Sequence, residues 1–87
     1  MTAAEKIRQR LEAELQPQAI EIIDDSDKHR GHAGWRKNGE THFSVEIISQ
    51  KFAGMSLVDR HRMVLDILRP VMAESGLHAI SISAKTP

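Results

Sequence analysis

Apolar side chains return at two periods along this chain, and each period marks a kind of element. Between residues 2 and 16, Ala4, Ile7, Leu11 and Leu15 recur every three or four positions among charged residues, the spacing of one helix face. Thr2 and Glu5 fit a capping box at its start, and Pro17 ends it, because the residue before a proline is pushed out of the helical region. Residues 19–24, AIEIID, predict a strand with Ile20 and Ile22 on one face. Residues 41–49, THFSVEIIS, alternate cleanly. Phe43, Val45 and Ile47 face a core, while His42, Ser44 and Glu46 face the other, solvated way. Ser56 caps a second helix, with Asp59 at its third position. Leu57, His61, Val64, Leu68 and Val71 form the apolar stripe of that helix, and Asp59, Arg62, Asp66 and Arg69 its polar face. Pro70 predicts a kink or a division there, since it lacks a donor and crowds the previous turn. Gly76 fits a helix-ending position, and residues 77–84 predict a third strand with His78, Ile80 and Ile82 in one row.

Two stretches break the periods. Residues 50–56 are a tight connection with room for a short helical turn at 52–55. Residues 25–40, DSDKHRGHAGWRKNGE, hold three glycines and no period. Loops of about this length are uncommon in compact domains and are often functional or disordered. The element order is α-β-β-α-β, and two helices can cover one face of a three-stranded sheet. That predicts an α+β two-layer sandwich. Eighty-seven residues make one domain, 1–87, with one small core and no deep substrate pocket.

Composition narrows the chemistry. Twelve basic and twelve acidic residues cancel, so no global field draws in nucleic acid. Lys28, Arg30, Arg36 and Lys37 nevertheless crowd one loop together with Trp35. There is no cysteine, and there are five histidines, at 29, 32, 42, 61 and 78. Imidazole is the commonest metal-ligand group. A chain with imidazole but no thiolate can complete only part of a soft metal centre, and any iron–sulfur cluster here would need a partner's thiolates. No stretch approaches the roughly 20 apolar residues of a membrane span, and the charged N-terminus is neither signal peptide nor anchor. The expected location is cytoplasmic. No nucleophile–base pair or paired-carboxylate site is visible, and Asp24, Asp25 and Asp27 read as strand end and turn. The chain is therefore not read as an enzyme.

Each histidine has a bland reading. His61 falls on the apolar stripe, which predicts a buried or half-buried side chain with a structural hydrogen bond. Arg60 and Arg62 flank it on more exposed positions, open to an acidic partner or phosphate, although a solvated face is the default. His42 reads as an exposed strand residue. By period alone His78 is a core-edge residue. His29 and His32 form H-x-x-H, a weak metal signal by spacing. Trp35 is a contact candidate, since tryptophan is enriched at interface hot spots, and can equally pack over the sheet.

The motifs IIDDS at 22–26, ETHFSVEIIS at 40–49, KFAGMSLVDRHRMV at 51–64 and LHAISI at 77–82 resemble the BolA family, and the match runs from about residue 5 to 87. The run F-x-G-x-x-x-x-x-R-H-R at 52–62, followed by HAI, is the specific part. Histidine in the first long loop, where other members have cysteine, resembles one branch of that family. The resemblance implies a class II KH-like fold and partnership with a monothiol glutaredoxin of the CGFS type. It implies a 2Fe–2S cluster shared between the two chains, with glutaredoxin cysteine and glutathione supplying sulfur. This chain would supply His78 and one loop residue, either His29 or His32. The isolated chain would carry no cluster and be a monomer.

Two rival readings stand beside this one. Some BolA-like proteins are described as transcriptional regulators, and Lys28, Arg30, Arg36, Lys37 and the RHR segment would supply phosphate contacts to DNA. Against it stand the zero net charge, three aromatic residues in all, and the absence of the GXXG loop of KH modules, where this chain reads FAGMSLVD. A zinc or copper site from His29, His32 and a further imidazole ranks last, because the loop offers two ligands at most.

Overall fold

Thr2 begins the first helix as its capping box predicts: its hydroxyl accepts from the Glu5 backbone N–H at 3.1 Å, and the Glu5 carboxylate accepts from the Thr2 backbone N–H at 3.1 Å. Those hydrogen bonds from Thr2, backbone first, hold the exposed Glu5 carboxyl below its usual pKa. The computed structural model describes residues 2–25, 42–77 and 79–87. Helix α1 spans Ala3–Leu15 and buries Ala3, Ile7, Leu11 and Leu15. It closes on Gln16 in the left-handed region (φ 46°), whose N–H returns to the Glu12 carbonyl, and Pro17 follows.

Strands β1 (Ala19–Asp24), β2 (His42–Ile48) and β3 (Ala79–Lys85) form a sheet in the order β1-β2-β3. β2 runs antiparallel to β1 and parallel to β3. The register sets Ile20 beside Ile47 and Ile22 beside Val45 on one side, and Ile80, Ile82 and Ala84 beside Phe43, Val45 and Ile47 on the other. These rows make one apolar face. The two helices cover it, which gives the α+β two-layer sandwich that the hydrophobic pattern implies. The parallel pair requires a crossover, and α2 (Leu57–Ser75) supplies it.

Ser49 explains the connection after β2. Its buried hydroxyl donates to the Leu15 carbonyl at 2.7 Å and accepts from the Lys51 N–H at 3.1 Å. A 3-10 turn therefore sits at Gln50–Phe52, starting two residues before the predicted turn, and seats Phe52 in the core.

Helix α2 settles one alternative of the sequence reading and departs from that reading once. It continues through Pro70 without dividing. Pro70 is exposed, so the Asp66 carbonyl that loses its helical donor faces the solvent side, where water can satisfy it. The apolar stripe is also shorter than predicted: Val64, Leu68 and Val71 are buried, but Leu57 is 75% exposed and His61 is exposed. A 3.6-residue period states which residues share a face; it does not state how far along the helix the sheet reaches. Gly76 (φ 68°) closes the helix as predicted, its N–H returning to the Met72 carbonyl.

Candidate functional site

The ends of the long loop are stitched together. The Asp25 N–H donates to the His42 carbonyl at 2.8 Å, so the chain leaves the sheet beside the point where it returns. Across the next pair, His42 is registered with Ala79, the residue that follows His78 in sequence. Asp25, His42 and Ala79 thus form one row across the three strands at one end of the sheet. Asp25, His42, Phe43, Ala79, Ile80 and Ser81 line a shallow depression of about 190 Å³ there. Beside it, the Ser44 hydroxyl donates to the carboxylate of Asp25, one of the lining residues.

His42 corrects the sequence reading. It lies on the predicted polar side of β2 but is only 7% exposed. β2 is the central strand, paired on both sides. Alternation assigns a residue to a face and carries no information on what covers that face.

Arg60 is also corrected: it is half-buried, not a free flank of His61. Its Nε donates to the Met55 carbonyl at 3.1 Å, and a terminal nitrogen donates to the Ala84 carbonyl at 3.4 Å. Arg62 is exposed, as predicted. Both belong to the far end of the sheet from Ala79, because β3 is seven residues long, roughly 20 Å at about 3.3 Å per residue. The predicted partner residues on α2 and the loop end are therefore two separate regions. His29, His32, His78, Trp35, Lys28, Arg30, Arg36 and Lys37 lie outside the described residues. Among the described residues, no group of three histidine or acidic side chains could hold a metal ion. No helix of the described residues is long and apolar enough to cross a membrane.

The profile of the BolA family, described as "BolA-like protein", matches residues 11–87. The chain belongs to the BolA-like family. SufE-like protein 1, chloroplastic/mitochondrial, of Arabidopsis thaliana is 50% identical over 86 residues, covering 94% of this chain and 23% of that protein. Protein BOLA1, chloroplastic, of the same plant is 49% identical over 86 residues, covering 97% of this chain and 53% of that protein. The chain therefore spans about half or less of the length of these two relatives. Among solved structures, the BolA domain of SufE1 from Arabidopsis thaliana superposes with a TM-score of 0.86 at 47% identity, covering 100% of this chain and 94% of that one. BolA-like relatives carry chloroplastic and mitochondrial names, so family membership does not bring a cytoplasmic location with it.

The Ser44–Asp25 contact is the feature that sequence reasoning missed. The sequence placed Ser44 on the polar side of its strand, but nothing in one chain's sequence gives the register that puts it beside Asp25.

Proposed function

We propose that this BolA-like chain is a non-enzymatic adaptor. It pairs with a monothiol CGFS glutaredoxin, shares a 2Fe–2S cluster with it and glutathione, and acts in iron–sulfur cluster trafficking or iron homeostasis. The observation that carries this reading is the row Asp25–His42–Ala79. His29 and His32 lie in the chain between Asp25 and His42, and His78 precedes Ala79, so all three imidazoles are tethered to one end of the sheet. The donor set fits half a cluster site. His78 and one of His29 or His32 would offer neutral imidazole nitrogens, and a chain with no cysteine leaves the thiolates to the partner. The bound cluster is cargo and redox centre; this chain's part is to present two ligands from a small rigid sheet. Protonated imidazole cannot coordinate, so acidification weakens the shared assembly before it affects the fold.

The test mixes the chain anaerobically with a CGFS glutaredoxin, glutathione, iron and sulfide, and records visible circular dichroism and complex mass. The expected result is a one-to-one heterodimer whose spectrum differs from that of the glutaredoxin homodimer. His78→Ala should abolish or alter that spectrum while far-ultraviolet dichroism stays unchanged, and separate His29→Ala and His32→Ala variants identify the loop ligand. Absence of any complex overturns the reading and turns attention to DNA. An unchanged His78→Ala spectrum removes the ligand assignment alone.

A further inference from the structure

The Ser44–Asp25 contact stands on the open face of the sheet, away from the helices. Phe43, Val45 and Ile47 point into the core, so Ser44 points the other way, and it is half-buried there. Ile20 and Ile22 face the core from β1, which puts Ile23 and Asp25 on the same open face as Ser44. The register sets Ser44 beside Ile23, and Asp25 comes two residues later, opposite His42. The Asp25 carboxylate therefore turns back along the sheet to accept from the Ser44 hydroxyl, while its backbone N–H donates to the His42 carbonyl at 2.8 Å. One residue is thus held to β2 twice, once by its backbone and once by its side chain.

The place of this double hold matters more than its strength. β1 ends at Asp24, so Asp25 is where the chain leaves the sheet. A lone backbone hydrogen bond at the end of a ladder opens readily, because fraying ends are the low-stability margin of a fold. The side-chain bond secures that margin two residues further in. His29 is four residues beyond Asp25, a span of at most about 14 Å of chain. Ser44 is itself registered with Ser81, two residues past Ala79, so the hold is tied to the strand that follows His78. Neither Asp25 nor Ser44 belongs to the apolar core. An aspartate at a strand end ordinarily shapes the turn through its own backbone two residues on. Here its carboxylate takes a hydroxyl from the neighbouring strand.

We infer that Asp25 and Ser44 are a positioning pair: they hold the exit of the chain from β1 so that a loop imidazole is presented toward the end of the sheet that follows His78. The inference rests on the adaptor reading above, and neither residue is itself a ligand. A positioning contact differs from a stabilising one in what its loss does. Loss of a merely stabilising contact leaves fewer molecules folded, and those that fold bind as before. Loss of a positioning contact changes which folded form is populated, and the apparent affinity falls in proportion to the competent fraction.

The test uses the full chain with a CGFS glutaredoxin, glutathione, iron and sulfide, and follows by visible circular dichroism how readily a chelator strips the shared cluster. Ser44→Val keeps the shape of the side chain and removes the hydroxyl. It should lower cluster retention about tenfold, the mark of a competent fraction of about a tenth. In the cluster-free chain the Asp25 amide should lose its exchange protection, while the urea midpoint shows the variant fully folded under the assay conditions. Ser44→Thr returns the hydroxyl and should restore both retention and protection. Asp25→Ala should act in the same direction, and Ser44→Val added to it should change nothing further, because side chains that act through one contact are not additive. Retention equal to the parent's in Ser44→Val overturns the inference, as does an Asp25 amide that stays protected, a threonine that fails to rescue, or additive effects in the double variant. A Ser44→Val chain that does not fold assigns the pair to stability and overturns it too. Each of these outcomes leaves the adaptor reading standing. If the parent chain forms no shared cluster, that reading falls and this inference with it.

Discussion

Arg60 bonds two carbonyls from different parts of the chain, Met55 just before α2 and Ala84 near the end of β3. It thereby fastens the start of the crossover helix to the strand that the helix delivers. Arg60→Ala should destabilise the fold by about 1–2 kcal/mol in urea denaturation, and Arg60→Lys should recover only part, because an ammonium cannot fork between two acceptors as guanidinium does. The two described histidines give a contrasting pair. His42→Ala empties a buried position and should cost about 1–3 kcal/mol, whereas the exposed His61→Ala should stay within about 0.5 kcal/mol, both by urea midpoint. Sequence reasoning had these two reversed. It read burial from period, and period identifies a face without its cover. The capping pairs Thr2–Glu5 and Ser56–Asp59 were legible because they depend on neighbours three residues apart.

At the scale of elements, α2 tests how much a proline costs where its lost bond faces water. Pro70→Ala restores the donor to the Asp66 carbonyl and removes the ring from the turn below. The full interior penalty of about 3 kcal/mol does not apply at an exposed site, and the greater freedom of the unfolded alanine chain offsets more. A gain of about 1 kcal/mol in the urea midpoint is the expected outcome, and a loss would mean that Pro70 is held by contacts the helix needs. The helices and strands themselves were legible to within two residues, since each carries its own period and its own stop signal. The 3-10 turn was misplaced because Ser49, reaching back to Leu15, sets it through a contact 34 residues distant.

At the scale of the molecule, the central position of β2 organises everything else. Its one end gathers Asp25, His42 and Ala79, and β3 beside it is an edge strand whose Ala84 carbonyl, toward the other end, is taken by Arg60. The layered fold followed from the order of elements, and the family from motifs spread along the chain. The separation of the two ends did not, because Arg60 and Ala79 are placed at opposite ends of β3 by contacts and a register that only the fold reveals.

The stitch between Asp25 and His42 has one more consequence. It brings Asp25 and His42, the residues that flank positions 26–41, together, and closing a segment in this way costs entropy only with the logarithm of its length, about 0.6 kcal/mol per doubling. The loop ligands proposed above could then be exchanged, added or moved with little penalty to the sheet. A graft of sixteen glycines and serines for residues 26–41 should therefore leave thermal unfolding cooperative and within a few degrees of the parent, about 1 kcal/mol or less, while erasing the loop's histidines. The fold and the proposed ligand set would then be free to change at different rates.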